Sequence, residues 1–430
     1  MFAHSLSLRK WAFYLLVFSF LSEIAFSYFR VGVMPVRVYF LVIFLFFSVV
    51  TLLYSYGKIV VPLPAKIWQV MALIVIMIQL KDLNNGEFWY FFFRGPVASL
   101  LIFYLTYYAL DKSQYNIDKF SSIMVIIVTF SAFVAFMQAA GVDLFWKIRQ
   151  IFPAPESAVS LSILNMDRPV GVSFNSTELG YQISTIFPFA WYLSKRTIFK
   201  NKRIYFNIAM LILFVGAISS ETRSSVLGII ISVLVIRYSL DERLNMLGKW
   251  LPVILMFLFT AVMVFGFGLS GRLFMLDSSS QGKIFLAWSG VMYMFHNPFG
   301  SGLLMTDFFQ FKSSILGNFD QFGDQIVAQV KEYTPHNQFI NTGVMYGWLG
   351  LFVLIYFYKK LWSMLSTIRM YGSVDSNLSI ALQASIAGYI VNSMFHNGGP
   401  FVLDPFSWYL IGIISAFISS ATVCNEKKMC

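Results

Sequence analysis

Long apolar runs, broken by short polar stretches, set the pattern of the chain, and each is read against the roughly 20 apolar residues a helix needs to cross a bilayer. About a dozen qualify or come close: 11–28, 36–54, 66–80, 93–110, 120–140, 179–194, 204–220, 224–238, 250–268, 338–358, 378–395 and 405–423. The third is the shortest and the weakest of the set. The expected architecture is all-α, a polytopic transmembrane helical bundle of about 12 spans, with residues 1–430 as a single integral membrane domain.

The breaks are uneven. Residues 141–178 and 269–337 form two long loops, and the other connections are short. Loops beyond about 15 residues are usually functional or disordered. The first contains Trp146, Ile148 and Phe152, and the second Phe285, Trp288, Met292 and Phe295. These spacings give a helix one apolar face, which predicts helices lying along a membrane interface. Segment 313–333 is a further candidate of that kind. There is no internal repeat and no inverted pair of interrupted helices, the pattern common in transporters.

Composition supports a membrane over a water-soluble core. The chain is 58% hydrophobic and 12% charged, with mean hydropathy +0.71, whereas soluble domains carry roughly a quarter charged residues. Aromatics reach 18%, including 47 Phe and 22 Tyr, in keeping with lipid-facing surfaces and interfacial belts. The net charge of +11 comes from small basic clusters beside apolar runs. It therefore speaks to orientation in a membrane and not to nucleic acid. Most Lys and Arg on short loops fall on one side, for example Arg9, Lys10, Lys195, Arg196, Lys359 and Lys360. By the positive-inside rule both termini are then cytoplasmic and both long loops are outside. Residues 4–28 could also be read as a signal peptide, but the later spans make an uncleaved first helix the better fit. Cys424 and Cys430 both lie in the tail and imply neither a disulfide framework nor a metal cluster.

Three constellations could carry chemistry. Arg168-Pro-Val-Gly171-Val-Ser-Phe-Asn175-Ser-Thr-Glu178 closes the first long loop. A guanidinium there can hold a phosphate bidentately, or simply a lipid headgroup. Glu221-Thr-Arg223-Ser-Ser225 is a short outer turn running directly into a span. An ionisable group at that depth faces a polar cavity or a partner, and Glu221 is the partner a purely structural ion pair would use. His336-Asn337 ends the second long loop, above Gly347 and Gly350 in the next span. A neutral imidazole can take the proton of a hydroxyl nucleophile, and the spaced glycines are expected to permit close helix approach. The His-Asn pair recurs at His296-Asn297, read as packing, and at His396-Asn397, read as a turn. Arg272, Lys283 and Lys331 add positive charge to the second loop. Glu23, alone in the first span, decides nothing by itself. No HExxH, Walker, GxGxxG or CxxC pattern occurs, so zinc, nucleotide and dinucleotide chemistry lack support.

His336-Asn337, nine residues, then Gly347-Trp-Leu-Gly350 resembles the signature of the O-antigen ligase and O-antigen polymerase superfamily of bacterial envelope glycosyltransferases. Arg168-x-x-Gly171-x-x-Phe174-Asn175, Thr222-Arg223-Ser224-Ser225 and Pro298-Phe-Gly300-Ser-Gly302 extend the resemblance over roughly residues 165–360. One departure stands out. The family's second-loop arginine is matched here by Lys283 before Trp288, and lysine keeps the charge but loses the bidentate fork.

The resemblance implies glycosyl transfer at the periplasmic face of the inner membrane from an undecaprenyl-diphosphate-linked glycan, with no metal or cofactor. It implies His336, Arg223 and Arg168 as catalytic residues, with Asn337, Lys283, Asn175, Glu178 and Arg272 binding substrate. A chain-length regulator protein is the partner it suggests, beside the lipid bilayer itself. The residue chemistry agrees: a diphosphate leaving group needs its charge neutralised, and an acceptor hydroxyl needs a base. The expected activity is O-antigen polymerase. A ligase moving glycan onto lipid A-core is the nearest alternative, and a transporter of lipid-linked glycan is the alternative of another class.

Overall fold

The chain, seen in a computed structural model, is described at residues 2–25, 62–78, 84–110, 113–151, 168–196, 201–240, 278–316, 333–371 and 375–429 apart from 174, 397 and 403, together with 30–31, 34–35 and 43. The described residues form an all-helical protein with one small exception, the antiparallel pairing of Arg30–Val31 with Met34–Pro35. The helices are α1 Phe2–Ala25, α2 Leu63–Ile78, α3 Gly86–Phe92, α4 Ala98–Leu110, α5 Gln114–Ala139, α6 Asp143–Ile151 and α7 Ser176–Lys195. They continue with α8 Arg203–Ser219, α9 Arg223–Leu240, α10 Ser278–His296, α11 Thr306–Leu316, α12 Gln338–Tyr371, α13 Ser376–Ser393 and α14 Phe406–Met429.

Four helical stretches among the described residues are long and apolar enough to cross a membrane: Gly86–Leu110, Gln114–Ala139, Arg223–Leu240 and Gln338–Met370. They coincide with the expected spans 93–110, 120–140, 224–238 and 338–358. Leu63–Ile74, Arg203–Ser219 and Phe406–Ala421 are apolar but shorter. The expected spans 36–54 and 250–268 lie outside the described residues, residue 43 apart, and so does Arg272. The two long loops do contain helices, at α6 in the first and at α10 and α11 in the second. Of the expected helix at 313–333, only 313–316, the end of α11, and residue 333 fall among described positions.

Two of these helices differ from the simple picture for physical reasons. The fourth span begins earlier than its apolar run suggests, at Gly86, and passes Pro96 through a π-helical turn, Phe93–Val97. Proline has no amide hydrogen and clashes with the preceding turn, and a widened turn is one way past it. The Pro96 carbonyl then accepts the Trp68 indole N–H at 3.0 Å, tying α2 to this helix. In α12 the break falls at Gly347, with φ 69° and ψ −168°. A break of this kind leaves carbonyls of the preceding turn unpaired, and a neighbouring loop supplies the missing donors. Ser301 N–H donates to Val344 O (2.7 Å) and Gly302 N–H to Met345 O (2.8 Å), while Trp348 N–H donates to Pro298 O (3.0 Å). Gly300 and Gly302 also have positive φ, 84° and 79°. The spaced glycines therefore do not serve helix-to-helix approach as expected. Gly347 instead admits the 298–302 backbone into a notch in α12.

The centre of the bundle is α7, α9 and α13. In lipid, helices gain little from apolar burial, so small residues that let backbones approach closely matter more. A Cβ at Gly228 would meet Gly388 O and Ser184 Cβ, each at 2.9 Å. Ser232 Oγ donates across the interface to Ala384 O at 2.9 Å, and Asn392 Nδ2 to Ser184 Oγ at 3.2 Å. Both α7 and α13 carry several serines and a glutamine, with threonines in α7 and asparagines in α13, which lowers their hydropathy. Those side chains are buried among neighbours: Gln182, Ser184, Thr185, Gln383, Ser385 and Asn392 are all nearly inaccessible.

At one end of this core an ionic cluster joins three helices. Arg196, following α7, reaches Asp118 on α5 at 2.8 Å and Asp375, the N-cap of α13, at 2.7 Å. Tyr192 OH and Gln114 Nε2 complete the shell of Asp118. The candidate chemistry gathers at the other end.

Candidate active site

Three helix starts and two helix ends meet there. Asn175 caps α7, its Oδ1 accepting Glu178 N–H at 2.7 Å. The turn from α8 into α9 is tightened by Glu221, which takes φ 55°, and Thr222 Oγ1 donates to Ser176 O at 3.1 Å. The first turns of α7 and α9 are thereby fastened together. Asn337 caps α12, its Oδ1 accepting Phe339 N–H (2.9 Å) and Ile340 N–H (3.2 Å), while its Nδ2 donates to Met394 O (3.0 Å) just past α13. Helix starts carry partial positive charge and favour anions nearby.

Arg168 is positioned by a residue the motifs did not reveal. Gln138, 2% exposed near the end of α5, accepts from both Val170 N–H and Gly171 N–H at 2.9 Å through Oε1. Its Nε2 donates to Gly171 O (3.3 Å) and Phe145 O (3.1 Å). Ser131 Oγ accepts Val172 N–H at 3.1 Å, and a side chain at Gly171, where φ is 62°, would run into the Ser131 backbone. The Arg168-to-Ser173 loop is thus bolted to α5 through its own amides. Gln138→Leu keeps the volume but strands two buried N–H groups, at about 1–3 kcal/mol each. The detergent-solubilised variant is expected to melt at a lower temperature than the parent, read by thermal unfolding, as the Arg168-to-Ser173 loop loses its anchor on α5.

His336 sits immediately before α12, its ring 5.8 Å from that of Tyr333. Among the described residues its Nδ1 has no hydrogen-bond partner. Burial, with the positive charge of Lys283 adding, lowers its pKa to about 4. It is therefore neutral at physiological pH, the form a general base requires. His396, expected to be only a turn residue, is buried at 7% exposure in the same cluster. Its Nε2 lies 2.8 Å from Ser224 Oγ, at the start of α9. Burial, then Lys283, His336 and Arg168 in that order, hold its pKa well below the usual histidine range. Lys283 on α10, His336 before α12 and Arg168 before α7 thus all lie near enough to His396, after α13, to act on its charge.

The other candidates have distinct places. Arg223 is exposed at the first position of α9, next to Ser224. Asn337 and Asn175 use their side chains as helix caps. Glu178, in the first turn of α7, faces a separate cavity. His296, expected to pack, is exposed at the end of α10, its Nδ1 2.8 Å from Met292 O and its ring centre 5.4 Å from that of Phe311. Two further participants, Gln138 and His396, came from outside the quoted motifs. For His396 the available signal was the third His-Asn pair, followed by Gly398-Gly399-Pro400. Gln138 gave only that of a lone amide in an apolar run.

Residues 208–355 match the family described as O-antigen ligase. The matched stretch contains Arg223, Ser224, Lys283, His336 and Gly347, whereas Arg168 and His396 lie outside it. No curated protein matches the chain. Residues 208–355 are thus similar to the O-antigen ligase family, whose members are glycosyltransferase-like enzymes, and the apolar helices agree with a membrane protein.

Proposed function

We propose that the protein is an O-antigen polymerase, joining undecaprenyl-diphosphate-linked repeat units at the periplasmic face of the inner membrane, with both termini cytoplasmic. The observation that carries this reading is the meeting of Arg168, Lys283, His336 and the Ser224–His396 pair at one end of the bundle. A cationic group beside a neutral imidazole is what transfer from a sugar diphosphate requires. His336 takes the proton of the acceptor hydroxyl as that oxygen bonds to the anomeric carbon. The bond from that carbon to the phosphate oxygen breaks, and its electron pair leaves with the lipid diphosphate. Arg168, Arg223 and Lys283 offset the charge developing there, aided by the nearby helix starts.

Arg223→Lys tests the phosphate role. Lysine keeps the charge but cannot grip two oxygens at once, so elongation is expected to fall about 10²-fold, within the range for losing one transition-state donor. Near-normal elongation in this variant would remove Arg223 from the diphosphate.

The description of the matched family favours a second reading, a ligase that moves finished glycan onto lipid A-core. A deletion strain separates the two. Without a polymerase, lipopolysaccharide carries a single repeat unit; without a ligase it carries none. Translocation of lipid-linked glycan with no elongation by purified protein would instead identify a transporter. A chain-length regulator is the protein partner that fits the polymerase reading.

A further inference from the structure

Beside the histidine cluster lies a cavity of about 420 Å³ of opposite character. Pockets of a few hundred cubic ångströms suit small ligands. Three carboxylates line it, from Glu23 on α1, Glu178 on α7 and Asp404 before α14, and no Lys, Arg or His among the described residues does so. Polar groups of Asn175, Gln182, Thr334 and Asn341 share the wall with the rings of Phe91, Tyr181, Phe309 and Phe406. Carboxylates and amides that accept from hydroxyls, beside aromatic faces that pack on C–H surfaces, suit a pyranose. The carboxylates are positioned by the fold. Asp404 accepts from Tyr389 OH and from Phe406 N–H (3.1 Å). Burial pushes its carboxyl up to about 7, with Glu23 adding to the effect, which lets it donate as well as accept a hydrogen bond.

The cavity shares walls with the catalytic groups. Tyr181 lines it, yet its ring centre is 5.8 Å from that of His396, and its hydroxyl donates to Gly398 O at 3.3 Å. Thr334, two residues before His336, also lines it. A phosphate would be repelled by the acidic wall and drawn to the cationic cluster. The two compartments therefore suit different parts of the reactants: the lipid diphosphate on the basic side and a phosphate-free sugar end on the acidic side.

We propose that the Glu23–Glu178–Asp404 cavity is the subsite for the accepting sugar, selecting an uncharged or amino pyranose and rejecting uronic acids. The part this sugar plays rests on the glycosyl-transfer reading, whereas its binding is measurable without it. Saturation-transfer-difference NMR on the detergent-solubilised full chain would use four free sugars: a hexose, a 6-deoxyhexose, an N-acetylhexosamine and a hexuronate. At least one neutral sugar should receive saturation on its ring protons, and the hexuronate none. Thr177→Trp, which fills the cavity from the first turn of α7, should abolish that signal. The near-isosteric Glu178→Gln should weaken it about fivefold and admit the hexuronate.

The proposal is overturned by a preference for hexuronate, by an undiminished signal in Thr177→Trp, or by no signal from any of the four sugars. Elongation measured on the same preparations separates the two ideas. Sugar binding without elongation would leave the subsite standing while the polymerase fails. Normal elongation by Thr177→Trp would remove the subsite alone.

Discussion

His336→Ala is expected to reduce glycan elongation by about 10²–10⁴-fold, the usual worth of a positioned general base, while the chain remains in the membrane at normal abundance. The imidazole is neutral at working pH because burial and Lys283 lower its pKa to about 4. The base form is therefore fully present at neutral pH, and the activity it supports is lost only as pH falls towards that value. Lys283 is the charged group that acts on this imidazole, Tyr333 stands against its ring, and His336 in turn acts on His396. In Lys283→Met the repulsion is removed, so the acid limb should move to higher pH. A single-turnover assay on membranes between pH 4 and 8 measures both effects. Unchanged elongation in the alanine variant would take His336 out of proton transfer and leave the Ser224–His396 pair as the group to test.

Gly347→Ala should be nearly as damaging, though it removes no chemical group. Its backbone lies at φ 69° and ψ −168°, a region essentially reserved for glycine, where other residues are strained by about 1–3 kcal/mol. A Cβ there would also overlap Pro298 O, with Phe299 Cα 2.7 Å away. The 298–302 loop would be driven out of its notch, leaving the carbonyls of Val344 and Met345 without their donors. Elongation is expected to fall at least about 10²-fold, either through loss of folded chain or through displacement of α10 and its Lys283. Gly86→Ala is the control, since no atom lies within 4 Å of a Cβ there, and it should behave as the parent. Parental activity in Gly347→Ala would mean that α12 tolerates a different break.

Much of the helical plan was legible because a long apolar run announces itself locally. The four helices with spanning length and composition all lie where such runs predicted them. Their ends were less legible. The π turn at Phe93–Val97 depends on how Pro96 meets Trp68 from another helix, and no local pattern encodes that meeting. The same holds within the candidate site. Arg168, Arg223 and His336 stand out because charged or imidazole groups beside apolar runs are costly without a purpose. Gln138 and His396 do not stand out, since each acts through a partner brought near only by the fold: the 170–171 amides in one case and Ser224 in the other. Asn337 was expected to bind substrate, and its place one residue before an apolar helix also has the form of an N-cap. Of the two signature glycines expected to admit another helix, Gly347 instead admits the 298–302 loop, and Gly350 faces only Tyr346 of its own helix.

The Arg196 cluster constrains how this machinery can move. It tethers α5, α7 and α13 at the end remote from the histidines, and these helices lead to Gln138, Asn175 and the His396 segment respectively. With carboxylates held there and Thr222 fastening the opposite end of α7, that helix resembles a spar fixed at both ends. Twisting or sliding it by one turn would strand Asp118 in an interior that cannot solvate it. On the polymerase reading, the glycan is therefore advanced by exchange of the substrates themselves past a stationary frame, with no power stroke from these three helices.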